Sequence, residues 1–278
     1  MSPICTHHSR VQPWECDENE HMNAQFYAAR FQQATAEFAA ATGLVRPLNS
    51  KQRLTLRFHA EAHTEQHLVV ESALIEVSPH GYAIGHRLLD AASERLLATS
   101  IDQSPWQRQP GHLPSRPFEP RFDAPGIDPN PINAPKAEPD ALADGGFPSG
   151  RIAIATKNMG TDGHYPHQIY VALFGQGAAI AWDVIGLTQD VLQSHRWGGM
   201  VVNLSMTILQ PLQPGILVKQ VSRIVTLRSR VMTIRHDQFN VETGEPIARS
   251  VSTGMLVNLN TRRIIALPAL SPELALST

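Results

Sequence analysis

The sequence predicts an α+β fold built from two tandem copies of one unit, a long helix wrapped by a curved antiparallel sheet. Three observations lead there: a repeat at constant offset, a helical apolar stripe in each copy, and a train of alternating apolar runs after each stripe. His21, Gln25, Tyr27, Ala29, Phe31, Gln33, Ala36, Gly43 and Leu44 recur as His164, Gln168, Tyr170, Ala172, Phe174, Gln176, Ala179, Gly186 and Leu187, always 143 residues on. A solenoid needs about three or more units, so two copies point to an internal pseudo-dimer.

The helices come first in each copy, after a short strand. Tyr27, Phe31, Ala34, Phe38 and Ala41 follow helical spacing, and so do Tyr170, Phe174, Gly177, Ala181 and Val184. Asn23 suits an N-cap, Pro166 the first turn of the second helix, and Gly43 and Gly186 the C-terminal stops. Alanine fills much of the remaining surface, which predicts helices enclosed on most sides. Strands follow at 54–60, 67–77, 82–90 and 94–102, then at 202–208, 216–227, 231–240 and 247–258. Turn signals stand at 213–215 and 243–245. One helix per train of about four strands fits a sheet curved around a buried helix.

Between the copies, eleven of the 21 prolines fall from Pro105 to Pro148. The reading is an N-terminal unit at 1–106, an extended connector at 107–149 without regular helix or central strand, and a C-terminal unit at 150–278.

Composition narrows the function. The 278 residues carry 23 Lys+Arg against 25 Asp+Glu, a net charge of −2, which gives no electrostatic footprint for nucleic acid or an anionic membrane. No apolar run approaches the ~20 residues of a membrane span. The first ten residues lack the apolar stretch of a signal peptide. Cys5 and Cys16 make no disulfide framework, and Cys16 reads as a small packed residue. The expectation is a reduced, cytoplasmic protein with no nucleic-acid or membrane partner.

The chemistry concentrates before the first helix, in Trp14-Glu15-Cys16-Asp17-Glu18-Asn19-Glu20-His21-Met22-Asn23. Amides at a helix N-terminus point outward unpaired, and the dipole there favours negative charge, an arrangement suited to an oxyanion. A neighbouring carboxylate attacks a carbonyl or activates water. Glu15, Asp17, Glu18 and Glu20 repel one another, so some must face solvent. The segment from Trp14 to Tyr27 resembles the signature of hotdog-fold thioesterases, of the 4-hydroxybenzoyl-CoA thioesterase and acyl-ACP thioesterase types. The resemblance covers 1–106 well and 150–258 more loosely. It implies a double hotdog, helices packed side by side and active sites between the units. It implies a catalytic aspartate at Asp17 and the Asn-x-His pair of the acyl-ACP branch at Asn19 and His21. Glu20 departs from the glycine many members have.

The implied reaction is hydrolysis of an acyl-CoA or acyl-ACP thioester. Its carbonyl would lie against the amides of Met22, Asn23 and Ala24, and no metal or organic cofactor is required. Arg228 and Ser229 are the candidates for the phosphates of a CoA-like carrier. The second copy is degenerate: Gly160 stands opposite Asp17 and Asp162 opposite Asn19, which leaves one competent site with the second half completing the pocket. A rival has Asp162 and His164 form a second site. His59, His63 and His67, spaced by four, fall on a strand and a turn rather than on a metal-binding helix face. His86 and His236 occupy matching strand positions and read as sheet packing. Tyr27, Phe31, Tyr170 and Phe174 read as core, and Glu37 and Asp183 as solvated or facing the cleft. A hydratase or dehydratase of acyl thioesters and a non-catalytic acyl-CoA binder are the competing functions. The two halves can satisfy each other's interface, so a monomeric pseudo-dimer is viable beside a homo-oligomer.

Overall fold

A computed structural model describes residues 4–17, 19–47, 50–78, 81–108, 134–156 and 165–267. The first half runs β1 (Ile4–Arg10), a 3₁₀ turn (Pro13–Glu15), α1 (Ala24–Thr42), β2 (Leu44–Val45), β3 (Gln52–Phe58), β4 (His67–Ser78), β5 (Gly81–Asp90) and β6 (Leu96–Arg108). The second runs α2 (Glu138–Ala143), β7 (Phe147–Ala153), α3 (His167–Val184), α4 (Gln189–His195), β8 (Trp197–Ile208), β9 (Leu217–Arg228), β10 (Val231–Asn240), β11 (Pro246–Asn258) and β12 (Arg263–Ile265). The ten long strands form one antiparallel sheet in the order β1-β4-β5-β6-β3-β8-β11-β10-β9-β7, with β2 on β6 and β12 on β11. Outward from the centre, β3-β6-β5-β4-β1 mirrors β8-β11-β10-β9-β7.

The seam is the pairing of β3 with β8, where Leu54 meets Met206 and Leu56 meets Leu204. All four of those side chains are buried in a core cluster that also holds Tyr27 and Phe31 of α1 and Tyr170 and Phe174 of α3. The equivalent residues Gln25 and Gln168 meet at 3.5 Å. Buried His167 reaches into the first half: its N–H donates to Gln32 Oε1 at 2.7 Å, and its Nε2 lies 2.9 Å from Gln52 Oε1.

Each helix keeps the stripe read from its sequence. Tyr27, Phe31, Ala34 and Phe38 are buried on α1, and Tyr170, Phe174, Gly177 and Ala181 on α3. The helices are less enclosed than their alanine content predicts: Gln33, Ala36, Glu37, Ala40 and Ala41 form an exposed face on α1. Asn23 caps α1 by accepting from Gln25 N–H at 3.2 Å. Gly43 closes the helix in the left-handed region at φ 69°. Pro166 sits at the N-cap of α3, one residue before its first turn.

The connector differs from its prediction at both ends. Strand β6 continues to Arg108, α2 forms at 138–143, and β7 begins at Phe147. Proline does not forbid these elements. Pro139 lies in the first turn of α2, where its missing N–H would be unpaired anyway, and Pro148 lies on the edge strand β7. Charge fixes the segment in place. Glu138 pairs with Lys219, Asp144 pairs with Arg223 and Arg235, and Arg249 donates to the Pro135 carbonyl. Buried Asp237 receives Arg235 and Arg249, each at 2.9 Å. Helix α4 and strand β12 have no counterpart in the pattern read from sequence.

His86 and His236 are sheet-packing residues. His86 Nδ1 lies 2.7 Å from Ser72 Oγ and His236 Nδ1 lies 2.7 Å from Ser222 Oγ. Phe31 and Phe174 lie against the two rings, at centroid separations of 5.8 and 5.7 Å. Gly177 touches the second of these networks. A Cβ there would meet Ser222 Oγ at 2.4 Å, Gln220 Nε2 at 2.5 Å and His236 Nδ1 at 2.7 Å. The first helix has Ala34 at that repeat position.

Two expectations follow. Gly177→Ala should destabilise the protein by about 1–3 kcal/mol through overpacking, read as a lower Tm, despite alanine's better helix propensity. Burial pushes both imidazoles from 6.5 down to about 3. Between those values the unfolded chain binds protons that the folded chain refuses. Stability should therefore be full above pH 6.5 and fall as pH drops toward 3, by up to about 1.4 kcal/mol per pH unit for each ring. Denaturant midpoints at stepwise pH check the slope, which His236→Asn should reduce.

Candidate active site

The loop from Glu15 to Asn23 is clamped before it reaches α1. Glu15 receives Arg30 of α1 bidentately, Oε1 from Nη1 at 3.2 Å and Oε2 from Nη2 at 2.6 Å. Arg30 is 5% exposed and also donates to Ser9 Oγ at 3.0 Å, so this buried charge is paired and satisfied. The Glu15 carbonyl accepts Asn23 N–H at 2.8 Å, closing the loop on itself.

Within that frame Asp17 builds the turn. Its Oδ1 accepts the N–H of Asn19 at 2.9 Å and of His21 at 3.0 Å. Its backbone N–H donates to the His21 carbonyl at 2.9 Å. No described group donates to Oδ2, and the side chain is exposed at the mouth of a cleft. Glu20 takes φ 62°, a left-handed conformation that favours glycine. The turn is thus held under strain at this residue.

Asp17, Asn19, His21, Met22, Asn23 and Ala24 all line one wall of a cleft of about 960 Å³. Val171, Phe174, Ala178 and Trp182 of α3 form the facing wall, so the cleft lies between the halves. Tyr27 and Phe174 serve both core and lining. Asp183 borders the cleft, whereas Glu37 is exposed outside its lining. At the far end the Trp182 indole lies over Gly199, where a Cβ would stand 2.6 Å from Nε1.

The amides are fewer than expected. Met22 N–H donates to the Ala62 carbonyl at 2.8 Å, Asn23 N–H to Glu15, and Gln25 N–H to the Asn23 side chain. That leaves Ala24 N–H, the first of α1, as the one among these four with no hydrogen bond to described residues. Arg228 and Ser229 sit exposed at the end of β9 and the start of the β9–β10 turn, outside the cleft lining. The degenerate copy at 157–164, with Gly160, Asp162 and His164, lies outside the described residues.

Two residues were missed. Glu61, just beyond β3, has Oε1 3.2 Å from His21 Nδ1, within ion-pair distance. Arg262, in the turn between β11 and β12, donates to both Glu61 oxygens at 3.1 and 2.8 Å. No local pattern joins residues 201 apart. Burial holds His21 below its ordinary pKa, against the upward pull of Glu61 and Asp17, with His63 and Arg262 adding to the depression. His21, Glu61 and His63 also offer one ligand atom each within 4.8 Å. Arg262 already supplies the cation to Glu61, so a divalent ion would have to displace it. Burial raises the Cys16 thiol pKa, as fits a packed cysteine.

Comparisons bear on this wall of the cleft. Residues 11–104 match the family model of the Thioesterase-like superfamily. No curated protein sequence matches the chain. The structure is similar to an acyl-ACP thioesterase from Bacteroides thetaiotaomicron at 10% identity and TM-score 0.62, over 89% of this chain and 96% of that one. It is similar also to the 12:0-ACP thioesterase from Umbellularia californica at 10% identity and TM-score 0.60, over 90% and 93% of the two chains. The resemblance read at Trp14–Tyr27 is borne out: residues 11–104 fit the model of the thioesterase-like superfamily, and the chain shares the hotdog fold of these thioesterases. No single described helix is long and apolar enough to cross a membrane.

The strain at Glu20 is testable. Glu20→Gly should keep the loop and raise stability by about 1 kcal/mol, whereas Glu20→Val should lower stability, both read by thermal unfolding.

Proposed function

We propose that the protein is a double-hotdog hydrolase of acyl thioesters carried on coenzyme A or an acyl carrier protein, with one site formed by Asp17, Asn19 and His21. The observation that carries the proposal is that Asp17, whose Oδ2 receives no hydrogen bond from the described residues, and Ala24, whose N–H is likewise unpaired among them, line the same cleft. In the reaction, water oxygen adds to the carbonyl carbon, the C–S bond breaks, and the thiol leaves with a proton. Asp17 acts through Oδ2, either taking the proton from water or attacking the carbonyl to form an anhydride that water then opens. The developing oxyanion lies at Ala24 N–H on the positive end of α1. Asn19 and His21, held by Oδ1 of the same aspartate, orient the carbonyl and the water.

The acyl group extends along α3 toward Trp182. From Val171 to Trp182 the helix rises about 16 Å, a length that fits an extended aliphatic chain. In this reading the units at 1–106 and 150–278 arose by duplication, are joined by 107–149, and complete each other's interface, so a monomer suffices. We place the protein in the cytoplasm, consistent with its two free cysteines. The second half contributes the wall of the pocket; activity at Asp162 and His164 is not required.

Asp17→Asn keeps an Oδ1 to accept the two loop amides but removes the carboxylate. Free-thiol release from a panel of acyl-CoA and acyl-ACP substrates should fall on the order of 10²–10⁴-fold, with an unchanged circular dichroism spectrum. Full activity in this variant would refute the assignment. Loss of an enoyl-CoA chromophore without thiol would make the protein a hydratase, and saturable binding with neither signal would make it a binder.

A further inference from the structure

We infer that Arg262, which belongs to the second half of the chain, is a positioning residue for the site on the first half, holding Glu61 so that His21 is kept as its Nδ1–H tautomer. The argument starts from donors and acceptors. Arg262 grips Glu61 with Nη1 at 3.1 and 2.8 Å from the two oxygens, a geometry that fixes the plane of the carboxylate. A carboxylate only accepts, so Glu61 Oε1, 3.2 Å from His21 Nδ1, favours a proton on that nitrogen. Arg262 Nη2 lies 3.5 Å from His21 Nε2, and a guanidinium only donates, so the same arginine faces the unprotonated nitrogen. The ring is thereby neutral, with its basic nitrogen defined.

The backbone supports the assignment. Arg262 takes φ 55°, a left-handed conformation uncommon for arginine. The turn that imposes it is built by Asn258, whose Oδ1 accepts Asn260 and Thr261 N–H at 3.0 and 2.9 Å while its carbonyl accepts Arg262 N–H at 2.8 Å. Pairing of Leu256 with Ile265 across β11 and β12 closes the turn. The charged and titratable groups around His21 are Asp17 on its own loop, Glu61 and His63 between β3 and β4, and Arg262 from across the seam.

The test uses the full chain labelled with ¹⁵N-histidine, with the His21 signal assigned from His21→Gln. Nitrogen shifts should show the Nδ1–H tautomer in the native protein. Arg262→Gln removes one positive charge beside the imidazole while Glu61 and Asp17 remain. The His21 titration should therefore move upward by about half a unit or more, and the tautomers should mix. Arg262→Lys, which keeps the charge but loses the fork, should restore the titration more than the tautomer. His86 and His236 should not change in either variant, which separates a local effect from misfolding. The activity arm rests on the thioesterase reading. The acid limb of kcat/KM should shift to higher pH with the His21 titration, while KM changes less than about threefold. An unmoved His21 titration in Arg262→Gln overturns the inference, including the case in which KM alone rises because Arg262 contacts substrate. A moved titration in a protein with no thiol release in any form sinks the thioesterase reading and leaves the inference standing.

Discussion

The pairing of β3 with β8 is the constraint on which the rest of the molecule depends. It fuses two five-stranded sheets edge to edge, so neither half presents an open central edge. Once the strands are in register, α1 and α3 are brought alongside, and Gln25 meets its own equivalent, Gln168. A cleft then exists that neither half has alone, with the loop before α1 on one wall and the side of α3 on the other. His167 shows how tightly the halves are joined, since this one buried side chain and its amide bind Gln32 on the helix and Gln52 on the strand of the other unit.

The fold was legible because its determinants are local or periodic. Alternating runs such as Leu54-Thr55-Leu56 and stripes such as Tyr27-Phe31-Ala34-Phe38 report burial directly, and most observed strands begin and end close to the predicted ones, while β6 runs on to Arg108 and β8 starts already at Trp197. The connector was misread because proline content was taken as a veto on structure. Pro139 and Pro148 occupy positions that need no donor, and the ion pairs holding α2 and its C-cap come from strands up to 91 residues away. Helix α4 has neither a long stripe nor any fully buried residue, so periodicity gives no sign of it.

The site was half legible for the same reason. Asp17, Asn19, His21 and Asn23 sit on a contiguous loop whose hydrogen bonds close over two to eight residues, and a motif records such a loop faithfully. Glu61 reaches His21 through the bridge between His21 and His63 inside the first half, and Arg262 comes from the second half, so neither is visible in the loop's own sequence. The amide count was wrong for a related reason. A helix start has unpaired N–H groups only until tertiary neighbours claim them, and here the Ala62 and Glu15 carbonyls claim two.

The two oxygens of Asp17 divide two demands that usually conflict. A carboxylate that organises a loop is normally neutralised by the bonds it makes, and one that reacts must keep a lone pair exposed. Here Oδ1 accepts both backbone amides, and Oδ2 accepts none from the described residues, on a side chain that lines the cleft. That division needs a turn in which residue 20 is left-handed, which is why a strained Glu20 persists, and it needs the loop ends fixed independently of Asp17, which Arg30 and Glu15 accomplish from α1. Rigidity is therefore supplied by one acid, Glu15, part-buried and paired, which leaves an oxygen of a second acid two residues later without a loop bond. The crowding of carboxylates in this segment, unfavourable as a sum of like charges, is explained once each is assigned to its own environment.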